Sequence, residues 1–152
     1  MMDVIEARLR SQVTALRLVV GAAEFAELQA PPREKMPAAY VLLTDDTALP
    51  KSMASMVTRQ KLRRRLAVVI FVTNARDPRG EAAATSLDAV VYAMRAAMVG
   101  WVPPIPAQPA TGAKIVTIEQ FELVSGGLTE IADGVLAWTE QYAVSAALQL
   151  YA

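Results

Sequence analysis

The stretch VTRQKLRRRLAVVIFVT, residues 57–73, decides the fold because its pattern predicts one long β-strand with two different halves. In the second half, Leu66 to Thr73, both alternating faces are apolar, which is typical of a central strand buried between two layers. In the first half, Arg59 to Arg65, five of the seven residues are basic, and such a segment is not buried in a core. We therefore expect a β-hairpin arm that extends beyond the core.

The residues before this strand predict alternating helices and strands. From Asp3 to Leu16, apolar residues recur at helical spacing, and Asp3 stands where a carboxylate favours a helix N-terminus. Asp45 and Asp46 follow an apolar run and predict a turn. The predicted elements of this half are a helix from Asp3 to Leu16, a strand from Arg17 to Val20, a helix from Ala22 to Leu28 and a buried strand from Ala38 to Thr44.

The residues after the long strand predict a helix and two more strands. Gly126 and Gly127 lie in the segment SGGLTEIADG, residues 125–134, and predict the turn between those strands. The predicted elements are a turn from Asn74 to Gly80, a helix from Glu81 to Val99, and strands from Ile115 to Val124 and from Val135 to Tyr151. The order α-β-α-β-β-α-β-β predicts a mixed α/β (α+β) fold, in which helices flank a largely antiparallel sheet. We expect a single domain over residues 1–152.

The composition excludes most catalytic and metal-binding chemistry. Cys and His are both absent, which removes disulfides, thiolate and imidazole ligands, and the Ser-His-Asp and Cys-His arrangements. Of the carboxylate pairs, Asp45 and Asp46 favour a turn, while Glu119 and Glu122 have opposite parity and should point to opposite faces of a strand. Gly126-Gly127 lacks the helix and the Lys-Ser/Thr pair of a phosphate-binding loop. We predict no enzymatic activity, no cofactor and no metal site.

Neither a membrane span nor a secretion signal is predicted. The uninterrupted apolar runs are shorter than the roughly 18 to 20 residues that a membrane-spanning helix needs. The N-terminus MMDVIEARLRSQ carries Asp3 and Glu6 and lacks the basic and apolar regions of a signal peptide. We therefore expect a cytosolic protein with no membrane partner.

Charge is distributed unevenly along a chain that has 15 basic and 15 acidic residues. Five of the basic residues lie in the predicted arm, whereas residues 115–152 contain five acids and no Lys or Arg. Complementary surfaces on one chain favour head-to-tail contact between copies. Two alternatives stay open: both surfaces face solvent, or the chain is a nucleic-acid-binding module that uses the arm from Arg59 to Arg65.

The two tryptophans have different expected environments. Trp138 shares the parity of the apolar residues of the last strand, which predicts a core position. Trp101 lies beside a proline-rich linker and is either a core plug or an interface anchor, since aromatic residues are enriched at interface centres. The residues assigned to an oligomer or partner interface are Arg59, Lys61, Arg63, Arg64 and Arg65 in the arm, Trp101, and Glu119, Glu122 and Glu140 in the acidic segment.

Several segments, taken in order, resemble the tail terminator (tail completion) proteins of Mu-like and related long-tailed bacteriophages. They are MDVIEARLRSQ at 2–12, PAAYVLL at 37–43, RLAVVIFVTNARDPRGEAA at 65–83, VGWVP at 99–103, FELVSGGL at 121–128 and DGVLAWTEQYAV at 133–144. The resemblance covers nearly the whole chain.

This resemblance implies a function as well as a fold. It implies an α/β structural protein of the virion tail, assembled in the host cytoplasm, which forms a homohexameric ring on the last ring of the tail tube and docks to the head-completion (connector) proteins. It implies no enzymatic activity, and DNA passes through such a ring without specific recognition. The arm from Arg59 to Arg65 then reaches an adjacent subunit or the tail tube protein below.

Overall fold

The computed structural model describes residues 1–50, 52–54, 57–73 and 81–150, so the turn predicted at Asn74 to Gly80 lies outside the described residues. The helices are α1, Met2–Gln12, α2, Ala22–Ala26, and α3, Glu81–Met98, with a short 3₁₀ helix at Arg33–Lys35. The strands are β1, Leu18–Val20, β2, Ala38–Ala48, β3, Ser52–Ala54, β4, Val57–Thr73, β5, Ala113–Ile118, β6, Glu122–Ala132, and β7, Val135–Leu150.

Strand β4 is the centre of the sheet, as its apolar half predicts. In the described part of the chain, seven strands form one sheet in the order β1-β2-β4-β7-β5, with β3 beside β4 and β6 beside β7. The β1–β2 pair is parallel and the other pairs are antiparallel. The predicted mixed, largely antiparallel sheet flanked by helices is confirmed.

Helices α1 and α3 cover one face of the sheet, which we call the helix face. Even-numbered side chains of β4 and β7 point to this face, because side chains alternate along a strand. Ile5 and Leu9 of α1 and Met94 and Met98 of α3 are completely buried against them. The buried residues that β4 contributes to this core are Leu66, Val68, Ile70 and Val72.

The opposite face of the sheet, which we call the outer face, is only partly covered. Tyr40 of β2 meets Phe71 of β4 edge to face, with ring centroids 5.8 Å apart. Phe25 of α2 packs on Tyr40 at a centroid distance of 5.6 Å. The short helix α2 thus closes a second, smaller apolar cluster, while charged side chains occupy the outer face farther along β4.

The predicted hairpin consists of β2 and β4, and the residues of β2 from Leu43 onward are exposed. It differs from an isolated two-stranded arm, because β7 pairs with β4 from Thr58, opposite Leu150, to Thr73, opposite Val135. The turn predicted at Asp45 and Asp46 is wrong: after an irregularity at Leu43/Asp45, both residues continue β2 opposite Arg65 and Arg64. The arginines give the two carboxylates cross-strand neighbours, which favours a continued strand.

The single strand predicted from Ile115 to Val124 is two strands in the structure. Strand β5 ends at Ile118 and β6 begins at Glu122, so β5 and β6 lie end to end along one edge of β7. Phe121, between them, is buried and exchanges hydrogen bonds of 2.9 Å with the backbones of Gly100 and Trp101. Burial of this side chain interrupts the β-ladder, so strand parity is not continuous from Glu119 to Glu122.

The turn predicted at Gly126 and Gly127 is also displaced. Both glycines lie inside β6, and the β6–β7 connection is made by Asp133 and Gly134, whose φ angles are 50° and 74°. Positive φ at both central residues is the geometry of a tight hairpin turn, and Asp-Gly is a favoured sequence for it. The second half of SGGLTEIADG is therefore the turn, and the first half is strand.

Candidate functional site

The basic segment of β4 is divided between the two faces of the sheet. Alternation along the strand places Arg59, Lys61, Arg63 and Arg65 on the outer face and Arg64 on the helix face. Arg64 lies near the start of α1, where its Nη1 is 3.6 Å from the Sδ of Met1. The structure therefore brings four of the five predicted basic residues into one row, which we call the basic row.

The acidic segment lies beside the basic row within the same chain, because β7 and β4 pair along their full length. Lys61 Nζ is 3.3 Å from Glu119 Oε1, and Arg63 Nη2 is 3.1 Å from Glu122 Oε2. Both glutamates thus contact the outer face, and the prediction that they point to opposite faces is wrong. The two charged regions that suggested contacts between copies partly neutralise each other inside one chain.

Two members of the basic row have no ion pair in the described part of the chain. Arg59 donates from Nε to Gln149 Oε1 at 3.2 Å. The Arg65 side chain is exposed and makes no hydrogen bond or ion pair with the described residues. Asp45, the cross-strand neighbour of Arg65, instead accepts a hydrogen bond of 2.9 Å from the Thr47 hydroxyl. Within the described residues, the Arg65 side chain is therefore a cation without an ion-pair partner on the outer face beside β2.

Arg64 and Asp46 form a bidentate pair on the helix face. Arg64 Nε and Nη2 donate to the two carboxylate oxygens of Asp46 at 2.7 and 2.6 Å. These hydrogen bonds lower the pKa of Asp46 and raise the pKa of Arg64. Because the pKa of Asp46 is lowered in the folded protein, the ion pair stabilises the fold at pH values above the ordinary Asp pKa. This stabilisation is lost as the pH falls through the lowered pKa.

Glu140 does not belong to a partner surface, because its side chain is 0% exposed. It lies on the helix face of β7 and accepts four hydrogen bonds, from Arg95 Nε at 2.9 Å, Arg95 Nη2 at 2.8 Å, Trp138 Nε1 at 2.7 Å and the Tyr142 hydroxyl at 3.2 Å. The predicted interface role of Glu140 is corrected to an internal one: its charge is paired and its oxygens are saturated.

The charge of Glu140 changes the titration of its neighbours. Burial, together with this negative charge, raises the pKa of the Tyr142 hydroxyl well above its ordinary value. The hydrogen bonds to Glu140 raise the pKa of Arg95. A signal for this cluster exists in the sequence, because Glu140 has the same strand parity as Trp138 and Tyr142.

Trp101 packs against the core and is half-buried. Its ring stacks on Phe121 with centroids 5.7 Å apart and an interplanar angle of 18°. The Arg8 guanidinium lies over the Trp101 ring, 4.6 Å from its centroid, and its Nε donates a 2.7 Å hydrogen bond to the Ala97 carbonyl. These contacts support the core-plug alternative for Trp101. Trp138 also packs against the core, as predicted.

Comparisons with known proteins bear on the family and the fold of this chain. A family model described as phage tail terminator protein matches residues 2–151. The chain belongs to the phage tail terminator family. A solved structure titled as the virion of a native gene transfer agent (GTA) particle contains a chain of similar fold, with a TM-score of 0.56 and 12% identity over 97% of this chain and 94% of that chain. A search of curated proteins found no match.

This tail terminator is a structural component of a phage-like virion tail and is not an enzyme. Within the described residues, no three acidic side chains are placed to hold a metal ion together. The groove between β1, α2 and the 3₁₀ helix, lined by Glu24, Glu27 and Tyr40, contains neither Asp45 nor Asp46. No helix in the described ranges has both the length and the apolar character needed to cross a bilayer.

Several edges of the tail terminator sheet are capped by side chains or turns. Arg10 Nη2 donates to the outward carbonyl of Val19 in β1 at 2.7 Å. The Gln108 amide exchanges hydrogen bonds with both backbone groups of Ile115 in β5, at 2.9 and 2.5 Å. Phe121, just before β6, is capped by the Gly100–Trp101 turn. These contacts occupy part of the backbone hydrogen-bonding groups at the edges, which disfavours the addition of a further strand there.

Proposed function

We propose that copies of this chain form a closed homo-oligomeric ring, a hexamer, that ends the tail tube and joins it to the head-completion proteins. The observation that carries this proposal is the match of the tail terminator family to residues 2–151. In this proposal the chain assembles in the host cytoplasm and stays in the virion tail. Its partners are other copies of itself, the tail tube protein and a connector protein.

The surface of the chain supports contact between unlike regions of neighbouring copies. The chain has no net charge, yet Arg65 is free at one side of the sheet and Glu130 is exposed and without a partner at the other side, within the described residues. A ring closes when each copy presents two different surfaces to its two neighbours. Unlike surfaces with opposite charge favour this arrangement over a symmetric dimer.

The arm supports a contact with the tail tube or with a neighbouring copy. Beyond Leu43, the residues of β2 are exposed. Arg59 and Arg65 there carry charges that no ion pair balances in the described residues. This exposed, multi-stranded end is the surface we assign to partner binding.

The nucleic-acid-binding alternative is less well supported. Lys61, Arg63 and Arg64 each form an ion pair with an acid of the same chain. A binder that neutralises phosphates shows affinity that falls steeply as salt rises. We expect weak, sequence-independent binding of duplex DNA with a shallow salt dependence, measured by fluorescence anisotropy. A steep dependence that disappears in Arg59→Ala/Arg65→Ala would favour the alternative.

Complementation of a particle that lacks this gene tests the proposed function. We expect the defective lysate to contain heads and unattached tails, and the wild-type chain supplied from a plasmid to restore joined, infectious particles. Electron microscopy counts joined particles, and an epitope tag on the chain locates it in purified tails. Normal head-tail joining without the gene, or a tag absent from the tails, would refute the proposal.

A further inference from the structure

We propose that the groove between β1, α2 and the 3₁₀ helix, which we call the α2 groove, binds a Lys or Arg side chain of another protein of the tail. The cation lies between the carboxylates of Glu24 and Glu27 and the hydroxyl of Tyr40, and its aliphatic stem lies on the apolar lining. The cation site follows from this chain alone, whereas the source of the cation rests on the proposed function.

The first support is the size and lining of the α2 groove. Its volume is about 640 Å³, which is within the range of sites that bind small ligands. Leu18 and Val20 of β1, Tyr40 of β2 and Leu28, which follows α2, provide an apolar lining on the outer face of the sheet. An aliphatic stem on this lining removes apolar surface from water.

The second support is the hydroxyl of Tyr40. Tyr40 is only 2% exposed, and its hydroxyl makes no hydrogen bond with any described residue. Within the described ranges, Arg63 Nε is the one fully enclosed side-chain nitrogen or oxygen without a partner, so the Tyr40 hydroxyl oxygen keeps access to the groove that Tyr40 lines. Buried polar groups usually have a hydrogen-bond partner, and a hydroxyl oxygen accepts hydrogen bonds from a cation. This hydroxyl is therefore available to a ligand.

The third support is the pair of carboxylates on the α2 side of the groove. Glu24 and Glu27 are exposed, and neither forms a hydrogen bond or ion pair in the part of the chain that the structure describes. Their like charges, three residues apart at α2, repel each other, and a cation between them relieves this repulsion. Burial raises the pKa of the Tyr40 hydroxyl and the charge of Glu24 raises it further, so Glu24 lies close enough to act on this hydroxyl.

The opposite side of the α2 groove favours a ligand with a single cation. The 3₁₀ helix contributes Arg33, Glu34 and Lys35, which are two cations and one acid. Arg33 Nη2 donates to the Asp133 carbonyl at 3.0 Å, which directs this guanidinium towards the β6–β7 turn. A free diamine with a cation at each end places one of them beside Lys35, whereas a Lys or Arg side chain carries only one cation.

The basic row of a neighbouring copy does not supply this cation in the proposed ring. Arg59 and Arg65 lie on the outer face, which is also the face of the α2 groove. Neighbouring copies of a hexamer differ by a rotation of about 60°, so the outer face of one copy does not oppose the outer face of the next. We therefore assign the cation to a different protein.

Small cations test the site on the purified chain. Butylguanidinium should shift the amide NMR signals of Glu24, Glu27 and Tyr40 until they saturate. The uncharged analogue butylurea should bind at least tenfold more weakly, because it forms no charge-assisted hydrogen bonds. Equal binding of the two compounds, or an absence of shifts at the α2 groove, would overturn the cation site.

Variants test which groups hold the cation. Glu24→Gln should weaken the binding of butylguanidinium at least fivefold, and Tyr40→Phe should weaken it at least twofold. The matched control is Asp88→Asn, at an exposed position of α3, which should bind as the wild type does. Circular dichroism confirms that each variant is folded. If Glu24→Gln bound the cation as tightly as Asp88→Asn does, the assignment of Glu24 would be wrong.

Photo-cross-linking in purified particles tests the source of the cation. The exposed groove residue Ala30 is replaced by p-benzoylphenylalanine, which leaves both α2 carboxylates in place. Mass spectrometry should identify a peptide of another tail protein with a Lys or Arg within a few residues of the attachment point. Glu24→Lys/Glu27→Lys should remove this adduct, and the same cross-linker at Tyr92, which is 79% exposed on α3, should not form it.

The outcomes separate this inference from the proposed function. An adduct with a peptide of this same chain would overturn the assignment to another protein and make the groove a contact between copies. Tagged chain in tails without any adduct would leave the ring proposal standing and overturn the docking. Binding of butane-1,4-diamine at least tenfold tighter than butylammonium would indicate a free polyamine instead. If the chain is absent from tails, the ring proposal and the tail partner fail, but the cation site is still decided by the NMR titration.

Discussion

Gly126 of β6 lies directly opposite Glu140 of β7, and the Glu140 carboxylate occupies the space that a side chain at position 126 would fill. A Cβ on Gly126 would overlap Glu140 Oε1 and approach Arg95 Nη2 to 2.9 Å. The glycine therefore serves the ion pair between α3 and β7 and not a turn. This relationship connects a missing side chain on one strand to the only charged residue buried in the described core.

Substitution of the two neighbouring glycines should have opposite consequences. Gly126→Ala should lower the free energy of unfolding by about 2 kcal/mol, because the new methyl group forces the Arg95–Glu140 pair to move. Gly127→Ala is the matched control: a Cβ there meets nothing within 4 Å, so its unfolding free energy should change little. Urea denaturation followed by circular dichroism measures both. Equal losses in the two variants would contradict the packing described here.

Neutralising Glu140 should destabilise the fold more than neutralising a surface glutamate. Glu140→Gln should reduce the free energy of unfolding by about 2 kcal/mol, because Arg95, Trp138 and Tyr142 lose a charged acceptor. Glu122→Gln removes an exposed ion pair and should cost less than about 1 kcal/mol. Denaturation curves at neutral pH compare them. If Glu140→Gln were as stable as Glu122→Gln, the buried charge would have no stabilising role.

The stability of the fold should fall at alkaline pH in part through Tyr142. Its raised pKa means that the folded protein keeps a proton that the unfolded chain releases. This contribution is complete below about pH 10, the ordinary pKa of tyrosine, and is lost as pH rises above it. Tyr142→Phe should flatten the decline in unfolding free energy above about pH 10, whereas Tyr92→Phe at an exposed position should not. Parallel declines in all three proteins would exclude this role.

Removal of the Gln108 amide, which caps β5, should expose a strand edge that promotes aggregation. Gln108→Ala frees both backbone groups of Ile115, which should cost about 1 kcal/mol and increase light scattering as concentration rises. Gln12→Ala, at the exposed end of α1, provides the control. If Gln108→Ala remained as free of aggregates as the wild type, capping by Gln108 would not be what protects this edge.

The long strand β4 was predictable because its signals agree at every level. Its apolar half requires cover on both faces of the sheet, and its basic half is too charged to be buried in a core. The observed bounds, Val57–Thr73, match the predicted bounds. The first helix and the strand from Val135 were predictable for the same reason, since their apolar periodicity matches what the tertiary structure buries. The predicted end of that helix at Leu16 is wrong, because the helix ends at Gln12.

The errors occur where a residue acts for a tertiary reason that no local pattern expresses. Gly126-Gly127 has turn composition, but Gly126 is required by Glu140, which is distant in sequence. Phe121 divides the predicted strand because it packs under Trp101. The acidic and basic segments suggested contacts between copies, yet full-length pairing of β4 with β7 places Glu119 and Glu122 beside their own chain's Lys61 and Arg63.

The central claim is that copies of this chain form a closed ring at the end of the tail. Cryo-electron microscopy of tails from the complemented particles, focused on the head-proximal end, tests it most directly. The account predicts six copies of this fold around the tube axis, each in contact with the next. A tail end without this chain, or with a single copy of it, would contradict the account.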